Sequence, residues 1–385
     1  MIEGQNLSKI AGTFFRLVSS IQMSEKPSFY LPQLDGLRFG AALLVFFHHA
    51  PKISGLEPLK NFGWIGVDLF LSISAFLLTR LLYLEWQSNG EIRLRAFYIR
   101  RALRIWPLFL CYATAMCIWT AVNGGLDYET ILAWWLSFIT FSNNLLTALI
   151  GYSPVGFTSH LWTIALEEQA YVLLPLILIV FLDTRAPLKV LLKGAVVVIC
   201  MLILARTAFV LVEAEHPFIW VLPLRADPFI LGAVAAIILD DKAIPKPWTI
   251  LCLGLVLMAS VSFFPSFNKP GAYQVIGYTI SAIGCTAVVI AVQAPGIVAS
   301  LLSWSTFRYL GKISYGIYVY HILCIALAAN LVFQTGLSGT EQGRVLVLGI
   351  GFILTVCVSA VSYELLEKPF LKMKARYTRV VSRAV

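Results

Sequence analysis

Apolar runs alternate with short polar breaks along nearly the whole chain. The runs fall at about 37–53, 63–84, 104–122, 161–182, 189–212, 222–239, 248–264, 275–293, 314–334 and 345–367. Each approaches the roughly 20 residues that a helix needs to cross a bilayer core. The pattern predicts an all-α, polytopic transmembrane helical bundle with about ten spanning helices. A further stretch, 130–147, is apolar but holds Asn143 and Asn144. It is expected as a short or re-entrant element, tolerable in a membrane only where protein covers it.

Composition agrees with this pattern. Of 385 residues, 59% are hydrophobic and 13% charged, about half the charge of a soluble domain. Mean hydropathy is +0.83. The net charge of +9 would suit a nucleic-acid binder, but the basic residues lie in short loops between apolar runs. The partner expected from their placement is the lipid bilayer, with no nucleic acid.

An even number of spans puts both termini on one side. With cytoplasmic termini, the inner segments hold 22 of the 29 Lys and Arg residues, and the outer ones hold Lys52, Lys60, Arg225, Lys269 and Arg344. Arg38 and Arg206 lie in or beside spans. This is a strong positive-inside bias. The chain then reads as a cytoplasmic segment 1–30, a transmembrane domain 31–370 and a basic cytoplasmic tail 371–385. Residues 1–30 lack the apolar core of a signal peptide. The apolar positions between Ile10 and Ile21 suit an interfacial helix, with Met23 as an alternative start. The seven cysteines are scattered with no CxxC pair, so neither disulfides nor metal ligands are expected.

Four segments place ionisable residues where lipid would exclude them, and such residues are usually functional. Arg38 and His49, in LDGLRFGAALLVFFHHA, are eleven residues apart with no other charge between them. On a helix they share a face, separated by about 16 Å, whereas His48 points about 100° away. Snorkelling of the arginine and a structural histidine would also account for them. Asp68 lies a turn or two inside its span, where it serves chemistry or ties a neighbouring helix. His160 and Trp162 mark the outer interface, with Glu167 and Glu168 one to two turns inside. These two carboxylates diverge, so one can face a cavity while the other joins an ion-pair network. Arg101 and Arg104, three apart, share a face at the inner side. Paired guanidiniums suit phosphate recognition, and the same pair satisfies the positive-inside rule with anionic lipid. No P-loop, GxSxG or HExxH motif is present.

Together these segments resemble the acyltransferase-3 family of integral membrane O-acyltransferases. The likeness extends to LPLRADPFILGAVAA (222–236), YLGKISYGIYVYHIL (309–323) and SYELLEKPF (362–370), and covers Leu31 to Phe370. The family's Arg-x10-His pattern falls on Arg38 and His49, and its Arg-x-x-Arg pattern on Arg101 and Arg104. One departure is Ala75, where the family commonly has Gly. The resemblance implies transfer of an acyl group, usually acetyl, from cytoplasmic acetyl-CoA to a hydroxyl of an extracytoplasmic glycan or lipid-linked saccharide. No permanently bound cofactor and no metal are implied, and the location implied is a bacterial inner (plasma) membrane. His49, Asp68, Glu167 and Glu168 are the catalytic candidates. Arg38, Arg101 and Arg104 are the acyl-CoA candidates. His160, Trp162, Arg225, Asp227, Tyr315, His321 and Glu367 are further pocket candidates. His49 acts as base on the acceptor hydroxyl, oriented by Asp68 or Glu168, or is itself transiently acylated. A proton-coupled transporter would also carry intramembrane carboxylates and histidines. It should show paired repeats or broken helices, and no convincing ones are found.

The helical-face argument makes a direct prediction. His49→Ala should abolish transfer in protein that still inserts, a loss of roughly 10²–10⁴-fold or more, and His48→Ala should be milder. An inactive His48→Ala beside an active His49→Ala would overturn the face assignment.

Overall fold

The computed structural model describes residues 29–184, 186–212, 224–239, 243–263 and 272–380. Every regular element among the described residues is a helix. The expected interfacial helix between Ile10 and Ile21 lies outside them.

The first apolar run forms α1 (Pro32–His49), which starts on a proline suited to the first helical turn and ends at the two histidines. A short α2 (Glu57–Phe62) returns the chain to α3 (Ile65–Asn89). Gly90 ends α3 in the left-handed region, its N–H bonded to the Trp86 carbonyl. Next come α4 (Leu94–Asn123), α5 (Tyr128–Ile139) and α6 (Asn143–Ile150). A 3₁₀ turn, Ser159–Leu161, leads into α7 (Trp162–Asp183), followed by α8 (Leu188–Leu211). Then follow α9 (Asp227–Ile238), α10 (Pro247–Ser260), α11 (Ala272–Ala291), α12 (Ile297–Leu302) and α13 (Ser305–Lys312). The last long helices are α14 (Ser314–Phe333) and α15 (Glu341–Ser362). A π-helical stretch, Tyr363–Glu367, joins α15 to α16 (Lys368–Lys374).

Each of the ten apolar runs carries a helix, but among the described residues six helices are long and apolar enough to cross a membrane. They are α3, α4, α7 with its 3₁₀ turn, α8, α14 and the continuous Glu341–Tyr377 helix. The runs 222–239, 248–264 and 275–293 yield shorter apolar helices. The run 37–53 became α1, whose first turns carry Asp35 and Arg38.

The ambiguous stretch 130–147 is two short helices. Phe141, at φ 52°, breaks the chain between them. Gln169 on α7 holds the break: its amide donates to the Phe141 carbonyl at 3.0 Å and exchanges hydrogen bonds with Asn144 at 2.8 and 3.0 Å. The protein thus satisfies the polar groups that lipid could not.

Helix α3 is central, with 78% of its apolar window buried, whereas α8 with 6% lies at the edge. Apolar side chains of α3, α4, α5, α7 and α14 form one core, and those of α1, α3, α9, α10 and α11 form a second. Helix α1 is clamped by backbone contact. A Cβ at Gly36 would stand 2.1 Å from the Leu302 carbonyl oxygen, and one at Gly311 1.8 Å from that of Asp35. Only glycine fits such crossings, and membrane bundles favour them because close backbones gain dispersion contacts.

The segment read as the basic tail, from 371, packs on the bundle as far as it is described. Leu371 and Val380 are buried. Arg100 donates to the Tyr377 carbonyl at 2.7 Å, and Arg379 pairs with Glu91 at 3.3 Å.

Candidate active site

A cleft of about 1050 Å³, partly open to solvent, lies where α1, α4 and α14 begin. It gathers Arg38, Arg101, Arg104, Glu167 and Tyr315, which the sequence distributes over four helices. Tyr30, Asp35, Tyr171, Tyr363 and Lys374 complete its polar and aromatic lining. Arg38 donates to Ser74 at 3.3 Å. The Nε of Arg101 is buried with no hydrogen-bond partner among the described residues. Its guanidinium faces the rings of Phe97 and Tyr171 at 5.9 and 5.8 Å. Tyr171 donates to Glu167 one turn earlier on α7, and Tyr315 donates to the Ile105 carbonyl at 2.8 Å.

Beyond the cleft stands a cluster of three histidines. His49 Nδ1 lies 3.0 Å from the Val45 carbonyl oxygen and 3.1 Å from His321 Nε2. His321 Nδ1 lies 2.6 Å from the Tyr318 carbonyl oxygen. His160 Nε2 lies 3.1 Å from the Val319 carbonyl oxygen, and its ring packs edge-on to His321 at 4.8 Å. The Tyr318 hydroxyl donates to the His160 carbonyl at 2.7 Å. His160 stands on the 3₁₀ turn before α7 and is buried within the protein. His48 turns away, its Nδ1 2.8 Å from the Lys60 carbonyl oxygen.

Three segments each supply one residue to the cleft and one to the cluster. They are α1 with Arg38 and His49, α7 and its leading 3₁₀ turn with Glu167 and His160, and α14 with Tyr315 and His321. Helical rise separates these pairs by about 16, 10 and 9 Å respectively. The cleft and the cluster thus lie at different levels of the same three segments.

The remaining candidates occupy other places. Asp68 pairs with Arg225, both buried, and the Tyr278 ring lies 3.8 Å from the guanidinium. Asp227 receives two bonds from Arg206, at 2.9 and 3.0 Å, and one from Thr279 at 2.6 Å. Glu168 accepts from the Trp106 indole at 3.0 Å. Neither Asp68 nor Glu168 supplies the hydrogen bond to His49; His321 does. Trp162 packs on the small apolar cluster of Leu71, Ala75, Leu166 and Phe229. Glu367 is buried on the π-helical stretch, both its oxygens without a hydrogen-bond partner among the described residues. The hydroxyl of Tyr315 lies in the electrostatic field of Glu367, Glu168, Glu167 and Arg104.

Sequence reading missed Lys374, Tyr171 and Tyr318 as parts of the site. Tyr171 follows Glu167 by four residues, a spacing that joins side chains on one helix face. Lys374 was counted only as basic tail, and no local signal shows that the π-helical stretch returns it to the cleft.

The family model for an acyltransferase domain matches residues 31–364. The chain belongs to the acyltransferase-3 family. This acyltransferase is similar to the O-acetyltransferase OatA of Staphylococcus aureus strains NCTC 8325 / PS 47 and COL. Each is 26% identical over 365 residues, covering 89% of this chain and 57% of the relative. The chain thus spans little more than half the length of those relatives. No solved structure matches it.

The Asp68–Arg225 pair allows a test of its role in this acyltransferase. Breaking a buried ion pair from one side costs about 3–5 kcal/mol, whereas an apolar replacement of both partners is often neutral. Arg225→Met alone should therefore sharply lower thermal stability in detergent, and Asp68→Leu with Arg225→Met should recover most of it. A double variant as unstable as the single one would show that the pair does more than hold α3 to the segment before α9.

Proposed function

We propose that the protein is a membrane O-acetyltransferase. It takes acetyl from acetyl-CoA on the cytoplasmic side and passes it to a hydroxyl of an extracytoplasmic or lipid-linked glycan. The observation that carries this reading is a cationic cleft and a histidine cluster held at two levels of the same three segments. The names of the relatives support acetyl as the group moved.

The cleft suits the donor. CoA carries phosphates, and Arg38, Arg101, Arg104 and Lys374 line one wall system. Guanidinium forks match phosphate oxygens in pairs. The Nε of Arg101 is buried with no hydrogen-bond partner among the described residues. The pantetheine arm is long enough to carry the thioester the about 16 Å of helical rise from Arg38 to His49.

His49 then acts on the acceptor. Its imidazole takes the hydroxyl proton as the oxygen attacks the thioester carbonyl carbon. A C–O bond forms and the C–S bond breaks. The thiolate leaves, and the proton held by His49 restores CoA as the free thiol. The bias of 22 basic residues toward the segments read as inner supports a cytoplasmic cleft, with product released on the other side.

Two measurements test this reading. Arg101→Lys and Arg104→Lys should raise the apparent KM for acetyl-CoA several-fold and leave that for the acceptor little changed, since lysine cannot fork onto phosphate. Unaltered donor binding in the Arg101→Ala, Arg104→Ala double variant would leave those residues only a topological role. In sealed, oriented vesicles given labelled acetyl-CoA on one side, acetylation should require donor at the cytoplasmic face and release free CoA there. Activity that needs donor on the extracytoplasmic face would overturn the direction. Passage of a solute with no CoA released would favour a transporter instead.

A further inference from the structure

We propose that His321 is a positioning residue: its imidazole fixes the tautomer of His49, so that the His49 Nε2 lone pair meets the acceptor hydroxyl. The proposal rests on the reading of His49 as the base and names the group that makes it one.

The argument follows from which atoms can donate. A neutral imidazole has one N–H and one lone pair. His321 is 1% exposed, so its ring nitrogens find their partners within the protein. Its Nδ1 lies 2.6 Å from the Tyr318 carbonyl oxygen, which can only accept. The single N–H of His321 is therefore on Nδ1, and Nε2 carries the lone pair. That lone pair stands 3.1 Å from His49 Nδ1. The other neighbour of His49 Nδ1, the Val45 carbonyl oxygen at 3.0 Å, is also only an acceptor. Two acceptors thus converge on one nitrogen, and the proton of His49 sits there. Its Nε2 is left with the lone pair that proton abstraction requires.

The same geometry excludes a proton wire. The chain of bonds runs from His49 to His321 and ends on the Tyr318 carbonyl, which cannot take a proton in full. When His49 becomes doubly protonated, its Nδ1–H keeps both acceptors without reorganisation. The positive charge is met by a preset lone pair and a carbonyl dipole, the kind of arrangement that stabilises charge developing in a transition state. His160 completes the support: its Nε2 donates to the Val319 carbonyl, and its ring packs edge-on against His321. Such an orienting partner resembles the third member of a nucleophile–base–orienter set, with an imidazole in the place usually held by a carboxylate.

The test uses inside-out membrane vesicles from the producing cells, labelled acetyl-CoA and acetyl incorporation into the glycan fraction. His321→Leu removes the acceptor, and should lower the maximal rate about 10²-fold with the KM for acetyl-CoA changed less than about two-fold. His321→Gln places an amide oxygen near the position of Nε2 and should stay within about ten-fold of the parent. His321→Asn, too short to reach, should behave like Leu. Should the Leu variant fail to accumulate, the Gln and Asn pair decides alone: Gln active with Asn inactive supports positioning. Equal activity of Gln and Asn, a loss expressed in KM, or a fully active Leu variant beside a dead His49→Ala would sink the proposal. An active His49→Ala would instead remove the base reading itself.

Discussion

Helix α1 cannot face lipid. It carries Asp35, Arg38, His48 and His49 on 18 residues, and each of these groups in hydrocarbon would be costly. The rest of the bundle is arranged to sheathe it. Gly36 and Gly311 bring it into backbone contact with α12 and α13, and ten of its residues are buried. Helix α3 covers another side, with Ser74 in reach of Arg38. With α1 enclosed, its polar stripe can only open inward, and α7 and α14 must supply complementary polar residues along it. They do so in opposite directions, Glu167 and Tyr315 near one end and His160 and His321 near the other.

A second polar region has a different character. Asp68–Arg225 and Arg206–Asp227 are closed pairs between α3, α8, α9 and the turn before α9, with Tyr278 and Thr279 of α11 against them. Charges so enclosed stabilise only as pairs, and their geometry selects one packing of the helices. The other region is instead partly open to solvent, with Arg38, Arg101, Arg104 and Lys374 in its lining. Polarity is thus used for cohesion in one half and for binding in the other.

Much of this was legible from spacing. The eleven-residue spacing of Arg38 and His49 set both on one helix face, and the 100° step separated His48, which turns to Lys60. The Asn143–Asn144 interruption marked a covered break, held by Gln169. What spacing could not show was pairing across distant segments. Asp68 and Glu168 look like partners for His49 because they are charged and intramembrane, but their hydrogen bonds go to Arg225 and Trp106. His321 was named only through likeness to other chains, since an isolated histidine on an apolar helix has no period to betray its partner. Lengths misled as well: α9 begins only at Asp227, although its apolar run was read from 222.

The π-helical stretch Tyr363–Glu367 is the phase adjuster of the C-terminal end. A π turn holds one residue more than the α ladder would. The extra residue is absorbed within the turn, so the helix beyond it keeps Leu371 in its buried site and Lys374 in the cleft. The same residues drawn into an unbroken α ladder would advance by one more step and rotate everything beyond by about 100°. The register of the C-terminal end is thus set by the hydrogen-bond pattern of this stretch and not by its residue count alone.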